Sequence, residues 1–388
     1  MFTQTLRMSC LILCMAIILC GCATQTISPA PVLSSSSLDP AKAVPSADGK
    51  TLWFNALDIG LEGQGWSSLK HPYDRLPSEA EGKVTDAVWN LSHHSAGLSV
   101  RFVTDSPEIS ARWSLRSERL EMNHMPATGV SGLDLYAKGG DGAFHWLAVG
   151  RPGKQNGNET VLAGSLPAGL HEYILYLPLY NGTESLEIGI QTGSTLNKGP
   201  AYPADRAKPM LFWGTSILHG GCASRPGMAY PSIIGRHMQR PTINLGFSGN
   251  GKMDPELVKL IAPLDVAVYV IDCAPNMGPD LITERTEPLV HTLRAAHPDT
   301  PIVLVENIVY QQSWFLDKKQ AAHVDKNAAL CAAYQRLLNE GVKNLYYIPG
   351  DNLLGHDFEA TVDGTHPTDV GFLRMADVIE PVLRRILK

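Results

Sequence analysis

Near the C-terminus stands Asp363-Gly364-Thr365-His366-Pro367, an aspartate three residues ahead of a histidine and just before a helical pattern. Far upstream the chain carries Gly214-Thr215-Ser216-Ile217-Leu218-His219-Gly220-Gly221, a serine placed directly after a short apolar run. Serine attack on an ester needs a base to take its proton, an acid to orient that base, and donors for the oxyanion that forms. Ser216, His366 and Asp363 are the candidate nucleophile, base and orienting acid. Two further loops of small and polar residues lie between them, Asn244-Leu245-Gly246-Phe247-Ser248-Gly249-Asn250-Gly251 and Asp272-Cys273-Ala274-Pro275-Asn276-Met277. Singly, each has a plainer use: a serine after a strand turns the chain, Asn beside Pro makes a turn, and Asp-x-x-His caps a helix. Their conjunction points to acyl transfer. A phosphate loop is excluded because no Gly-Lys-Ser/Thr ending is present. The α/β-hydrolase elbow is excluded because Leu218 stands where its last glycine belongs. Asp363 and His366, with His356 and Asp357, form a rival metal-ligand set. Hydrolysis by metal-bound water needs at least three ligands and an open position, and no matching cluster stands elsewhere, so neither metal nor cofactor is expected.

Such loops do chemistry only on a frame that gathers them at one edge. From residue 208 onward, continuous apolar runs at 210–213, 242–245, 266–271, 302–305 and 345–348 alternate with helix-like segments at 229–238, 255–261, 281–296, 319–338 and 370–386. In the last segment Phe372, Met375, Ala376, Ile379, Leu383 and Ile386 share one face, with Pro381 expected to kink it. Short apolar runs of this kind read as buried parallel strands. The expected fold is therefore an α/β, doubly wound, five-stranded parallel sheet of flavodoxin-like type, with ligands at the carboxyl ends of the strands.

Residues 51–202 have a different period. Leu98, Val100 and Phe102 alternate with polar residues, Asp105-Ser106-Pro107 turns the chain, and Ile109, Ala111, Trp113 and Leu115 alternate again, which predicts a hairpin with one wet face. More strand-like runs at 133–136, 145–149, 173–177 and 186–190, the turn signals Gly139-Gly140-Asp141-Gly142 and Asn181-Gly182, and the lack of a convincing amphipathic helix predict an all-β sandwich of jelly-roll type.

The N-terminus reads as an address. Residues 8–20 form an apolar run too short to span a bilayer, ending in Leu19-Cys20-Gly21-Cys22, which resembles the bacterial lipobox. Residues 1–22 are then a lipoprotein signal peptide, with Cys22 the lipidated residue and the only membrane anchor; an ordinary secretory signal with a chance cysteine is the alternative. Residues 23–50, rich in Ser, Pro, Ala and Thr, read as a flexible tether. The expected location is the bacterial cell envelope. Of 388 residues 44% are apolar and 18% charged, and the net charge of -6 comes with no run of Lys and Arg, so a nucleic-acid partner is not expected. The folded remainder divides into 51–202 and 203–388. It keeps Cys222, Cys273 and Cys331. A disulfide between the first two stays open if their strands are neighbours, and Cys331 reads as a core helix residue.

Across about 208–388 the chain resembles the SGNH, or GDSL-like, serine hydrolases, whose four name-giving residues have counterparts here in order. The resemblance makes Ser216 the nucleophile, with Thr215 where the literal motif has Asp. It maps the oxyanion-donating glycine onto Gly249, with Gly246 as rival, and the side-chain amide donor onto Asn276, followed by Met277 in place of a frequent Asp. Asp363 and His366 match unaltered. It implies a two-step ester hydrolysis through an acyl-enzyme, with the N–H groups of Ser216 and Gly249 and the Asn276 amide around the oxyanion. Gly132-Leu133-Asp134-Leu135-Tyr136 resembles the signature of the G-x-D-L-Y β-sandwich that precedes SGNH domains. His219 either lines the pocket or serves as a structural loop histidine. Trp314, in the YQQSWF stretch at 310–315, either stacks on a sugar at the pocket mouth or packs as an ordinary Trp. The expected substrate is an O-acyl, chiefly O-acetyl, ester on a poly- or oligosaccharide. A lipid ester or thioester and a non-catalytic glycan-binding role are the alternatives.

Overall fold

Apolar residues on alternate positions of a strand share one face, and in the N-terminal half those faces meet in one core: Val100, Phe102, Ile109, Trp113, Leu135 and Ile188 are all buried there. The computed structural model describes residues 37–388; the signal-peptide run and Cys22 lie outside the described residues. One antiparallel sheet runs, in spatial order, Val44–Pro45, Thr51–Asn55, Thr183–Gln191, Glu108–Leu115 and Asn158–Gly164. The facing sheet runs Leu196–Lys198, Ser99–Thr104, His171–Tyr176, Leu133–Lys138 and Phe144–Gly150.

This arrangement corrects the hairpin expected at 98–115. Ser99–Thr104 pairs with His171–Tyr176, whereas Glu108–Leu115 pairs with Thr183–Gln191 and Asn158–Gly164, so the turn at 105–107 carries the chain between sheets. Alternation reports a face turned to a core and is the same for adjacent strands and for strands facing across a sandwich. Glu108–Leu115 keeps exposed or half-buried Glu108, Arg112 and Ser114, whereas the wet face is absent from Ser99–Thr104, where every residue is buried. Its outer side is covered by Arg101, which pairs with Glu62 at 2.7 Å and Glu172 at 3.0 Å and stacks 3.8 Å from the ring of Tyr202.

Two more expectations change. Within the tether predicted at 23–50, residues from 37 onward are part of the sandwich. Leu38 is buried and its N–H donates to Leu196 O at 3.0 Å, and Val44–Pro45 is an edge strand, where a proline is tolerated. The N-terminal half also holds a helix, Asp86–Ser92, N-capped by the Thr85 hydroxyl. Much of residues 63–97 leaves the sandwich: Tyr73 stays in its core, whereas Leu76, Val88 and Trp89 pack into the core of the C-terminal sheet.

That sheet is parallel, in the order Thr242–Gly246, Met210–Gly214, Val268–Asp272, Ile302–Val305, Leu345–Ile348. Alternate residues of one strand serve opposite faces: Leu211 and Trp213 meet helices Pro255–Ile261, Pro279–Ala296 and Asp317–Asn339, while Met210 and Phe212 meet Tyr230–Met238 and Asp369–Ile386. Both faces are dry, which is why these strands are mainly apolar, the buried Asn244 and Asp272 apart. Phe372, Met375, Ala376, Ile379 and Leu383 are buried on the inner side of the last helix, which continues through Pro381.

The two halves interlock through buried polar groups. Arg75 is 1% exposed, and its guanidinium donates to the carbonyls of His94 (2.7 Å), Leu91 (2.7 Å), Asn244 (3.0 Å) and Gly246 (2.9 Å). Burial lowers its pKa to about 9, which leaves it charged at neutral pH. The Gly132–Tyr136 stretch forms a second lock. A Cβ on Gly132 would lie 2.4 Å from Thr128 O, Leu133 and Leu135 point into the sandwich core, and Asp134 and Tyr136 point out. The Asp134 carboxylate accepts from Arg225 Nη1 (2.9 Å), Gly227 N–H (2.8 Å) and Trp146 Nε1 (3.0 Å). Asp134→Ala leaves a guanidinium and a buried N–H without their acceptor, and a loss of about 3 kcal/mol is expected in urea unfolding.

Candidate active site

Strand Met210–Gly214 ends against its neighbour so closely that a Cβ on Gly214 would sit 2.5 Å from Asp272 O. The chain then turns, and the Thr215 hydroxyl accepts the Ile217 N–H at 3.3 Å to cap the single-turn helix Ser216–His219. This turn lifts Ser216 to the carboxyl edge of the sheet, 8% exposed, with Oγ 2.8 Å from His366 Nε2. His366 Nδ1 lies 2.7 Å from Asp363 Oδ2. The other carboxylate oxygen, Oδ1, accepts the backbone N–H groups of His366 (2.8 Å) and Thr365 (3.0 Å). Burial alone would raise the Asp363 carboxyl. The His366 N–H and ring and the Thr365 N–H outweigh it, and the group is held below the ordinary carboxylate value. An ionised Asp363 can only accept, so Nδ1 carries the ring proton and Nε2 presents a lone pair to the Ser216 hydroxyl.

The candidate donors follow the two strands that flank Met210–Gly214. The Gly246 N–H is already engaged by Asn244 Oδ1 at 2.9 Å, and a Cβ on Gly246 would lie 2.2 Å from His219 N, so this glycine serves close packing. Gly249 is exposed, at φ +71°, and its N–H has no hydrogen-bond partner among the described residues. Asn276 follows strand Val268–Asp272. Its Oδ1 accepts the Gly251 N–H at 3.3 Å, which fixes the amide and leaves Nδ2 without a partner among the described residues. Gly251 itself is wedged against the nucleophile strand, where a Cβ would meet Gly214 O at 2.1 Å.

His219 takes the structural alternative. It is fully buried, with Nε2 2.7 Å from Leu179 O and its ring stacked 4.1 Å from that of Tyr180. Burial holds its pKa well below the ordinary value. A pocket-lining role for it is therefore corrected: the helical turn that exposes Ser216 swings His219 beneath the N-terminal half. Trp314 is 67% exposed, next to Phe315 and Phe358. Its loop is tied to the Asp363 turn, because Gln312 Nε2 donates to Asp363 O at 2.8 Å and Gln311 N–H to Gly364 O at 3.0 Å. A cavity of about 520 Å³ opens between Trp314, Phe358, Gln312 and Asp363. Cys222, Cys273 and Cys331 are free thiols, although the strands leading to the first two are neighbours. Asp357 is paired with Arg374 and His356 with Asn352, and no group of three or more His, Cys, Asp or Glu side chains among the described residues is placed to hold a metal ion.

Sequence reasoning missed the other wall of the site. A second cavity of about 490 Å³ opens at His366, Ser248 and Asn250 and is closed by Leu91, His94, Met122, His124, Met125 and Tyr180 from the N-terminal half. The Tyr180 hydroxyl donates to Ser216 O at 3.2 Å, and the His124 ring lies 6.0 Å from that of His366. No sequence signal marks these residues, which sit between strands, Leu91 on helix Asp86–Ser92 and the others in irregular stretches.

Residues 207–384 match the model of the GDSL-like lipase/acylhydrolase family, and residues 51–196 match that of the N-terminus of SGNH-hydrolase-type esterases. Among solved structures, the chain is similar to a Bacteroides ovatus protein described as a GDSL-like lipase. The two are 37% identical with a TM-score of 0.81, over 87% of this chain and 98% of that one. The salicylyl-acyltransferase SsfX3 of a tetracycline biosynthetic pathway shares the fold at 20% identity and a TM-score of 0.68, over 89% and 97% of the two chains. A family two carbohydrate esterase from Clostridium thermocellum, in complex with cellohexaose, does so at 14% identity and a TM-score of 0.50, over 75% and 95%. No curated protein matches the sequence.

The geometry sets a pH dependence. A carboxyl depressed in the folded state contributes stability that is present above its unfolded value and lost as the pH falls through the folded one. Urea unfolding of the protein and of Asp363→Asn should therefore converge as the pH is lowered from roughly 5 to 2.

Proposed function

Because the chain belongs to the GDSL-like lipase/acylhydrolase family, we propose that it is a serine esterase in which Ser216, His366 and Asp363 form the catalytic triad. The observation that carries this is the unbroken line of hydrogen bonds from Ser216 Oγ through the His366 ring to Asp363, beside the Gly249 N–H and the Asn276 Nδ2, neither of which has a partner among the described residues. In the first step Ser216 Oγ bonds to the acyl carbon as its proton passes to His366 Nε2. The carbonyl oxygen, now negative, lies among the N–H groups of Ser216 and Gly249 and the Asn276 amide. The intermediate collapses with cleavage of the bond to the alcohol oxygen, which takes the proton from Nε2. Water then yields a proton to Nε2 as its oxygen bonds to the acyl carbon; the acid departs and Oγ regains the proton. Asp363 stays ionised throughout and stabilises the imidazolium.

The substrate we propose is an O-acyl ester, acetyl included, on a poly- or oligosaccharide. Two observations support this. The exposed rings of Trp314 and Phe358 stand beside hydrogen-bonding amides next to Asp363, an amphipathic shelf suited to a sugar ring. The structural likeness to a carbohydrate esterase that binds cellohexaose is the second. Lipid anchoring at Cys22 and a cell-envelope location belong to the same proposal.

Ser216→Ala and His366→Ala are expected to abolish hydrolysis of p-nitrophenyl acetate, whereas Asn276→Ala should retain about one part in a hundred to a thousand of kcat. Equal loss in all three, or failure of a fluorophosphonate to label Ser216, would overturn the assignment. For the substrate, acetate should be released from acetylated xylan or pectin and lost in Ser216→Ala. Cleavage of long-chain lipid esters in its place would favour the lipid reading.

A further inference from the structure

The cavity on the N-terminal side of His366 has a composition unlike that of the Trp314 shelf. Its N-terminal wall carries an apolar stripe, Ala87 and Leu91 from helix Asp86–Ser92 with Met122 and Met125, whose backbones bond to each other across a tight turn at 3.0 and 3.2 Å, and beside that stripe stand Asn90, His94 and His124. Tyr180 closes it, and no Asp, Glu, Lys or Arg lines it. A sugar presents a hydroxyl at nearly every carbon, each needing a partner once it leaves water. Along the stripe, two methionines, a leucine and an alanine supply none, but they match an alkyl or aryl chain, and methionine adapts to irregular apolar shapes. Ser248 and Asn250, on the facing side, flank Gly249. Gly249 thus sits between two residues that line the cavity, which puts the proposed oxyanion donor at its edge. The volume, about 490 Å³, lies within the roughly 300–1,000 Å³ of sites that enclose a whole small ligand, far beyond the needs of an acetyl group. The wall is also held in register. Arg75 grips the Leu91 and His94 carbonyls with the same guanidinium that grips Asn244 and Gly246, at the start of the Gly249 loop.

Resting on the esterase reading above, we infer that this cavity is the acyl-binding site and that the N-terminal half, through Ala87, Leu91, Met122 and Met125, sets acyl specificity in favour of neutral apolar acyl groups longer than acetyl. The alcohol portion then leaves on the Trp314 side.

The test compares kcat/KM for p-nitrophenyl hexanoate and acetate. Ala87→Phe, at an exposed position that tolerates bulk, should lower the hexanoate-to-acetate ratio about tenfold or more, and Met122→Ala should raise it severalfold. A ratio unchanged in both variants, or equal proportional loss on both esters, overturns the inference while leaving the esterase reading intact. Should Ala87→Phe fail to fold, as judged by thermal unfolding, the ratio in Met122→Ala decides alone. A wild-type protein inert to every ester and unlabelled by fluorophosphonate strikes down the esterase reading, and this assignment with it.

Discussion

A charged group sealed from water must find its hydrogen-bond partners inside the protein, and Arg75 finds all of its own among four backbone carbonyls. Two of them end helix Asp86–Ser92 and its following turn, and two end strand Thr242–Gly246. One side chain thereby fixes how far the N-terminal wall stands from the loop that presents Gly249. Moving either element would leave part of the guanidinium unpaired at a cost of several kcal/mol, so the geometry of the site is coupled to folding itself.

The same dependence recurs around the nucleophile. Tyr180 reaches across to Ser216 O, His219 reaches back to Leu179 O, and Ser224, just beyond, accepts no slack because its N–H is held by Asp369 at 2.9 Å, three residues past His366. Asp134 clamps the adjoining Arg225 and Gly227. Although the chain reads as two domains of different period, the catalytic edge is assembled by both. The sandwich is thus a wall and a brace of the site.

What was legible followed from physics that is local in sequence. Strands dry on both faces leave continuous apolar runs, so 302–305 and 345–348 coincide with Ile302–Val305 and Leu345–Ile348. The Asp363 to His366 spacing is likewise self-contained, since its turn closes on itself. Strand pairing is a different matter, because alternation marks a face and carries no information about the neighbour, and the stretch at 98–115 accordingly switches sheets. The Pro-rich residues 37–50 looked like a linker because edge strands tolerate the same composition. Residues 63–97 gave no periodic pattern, for their apolar side chains are shared between a short helix and loops whose partners lie more than a hundred positions downstream. His219 could not be told from a pocket residue, since the direction a four-residue turn imposes is not written in residue types.

The excursion at 63–97 has a bearing on the order of events during synthesis. Leu76, Val88 and Trp89 emerge early from the ribosome, yet the strands that cover them, Met210–Gly214 and Thr242–Gly246, are translated long afterwards. The N-terminal half therefore cannot finish folding as an autonomous unit, and its greasy excursion waits in solution for the rest of the chain.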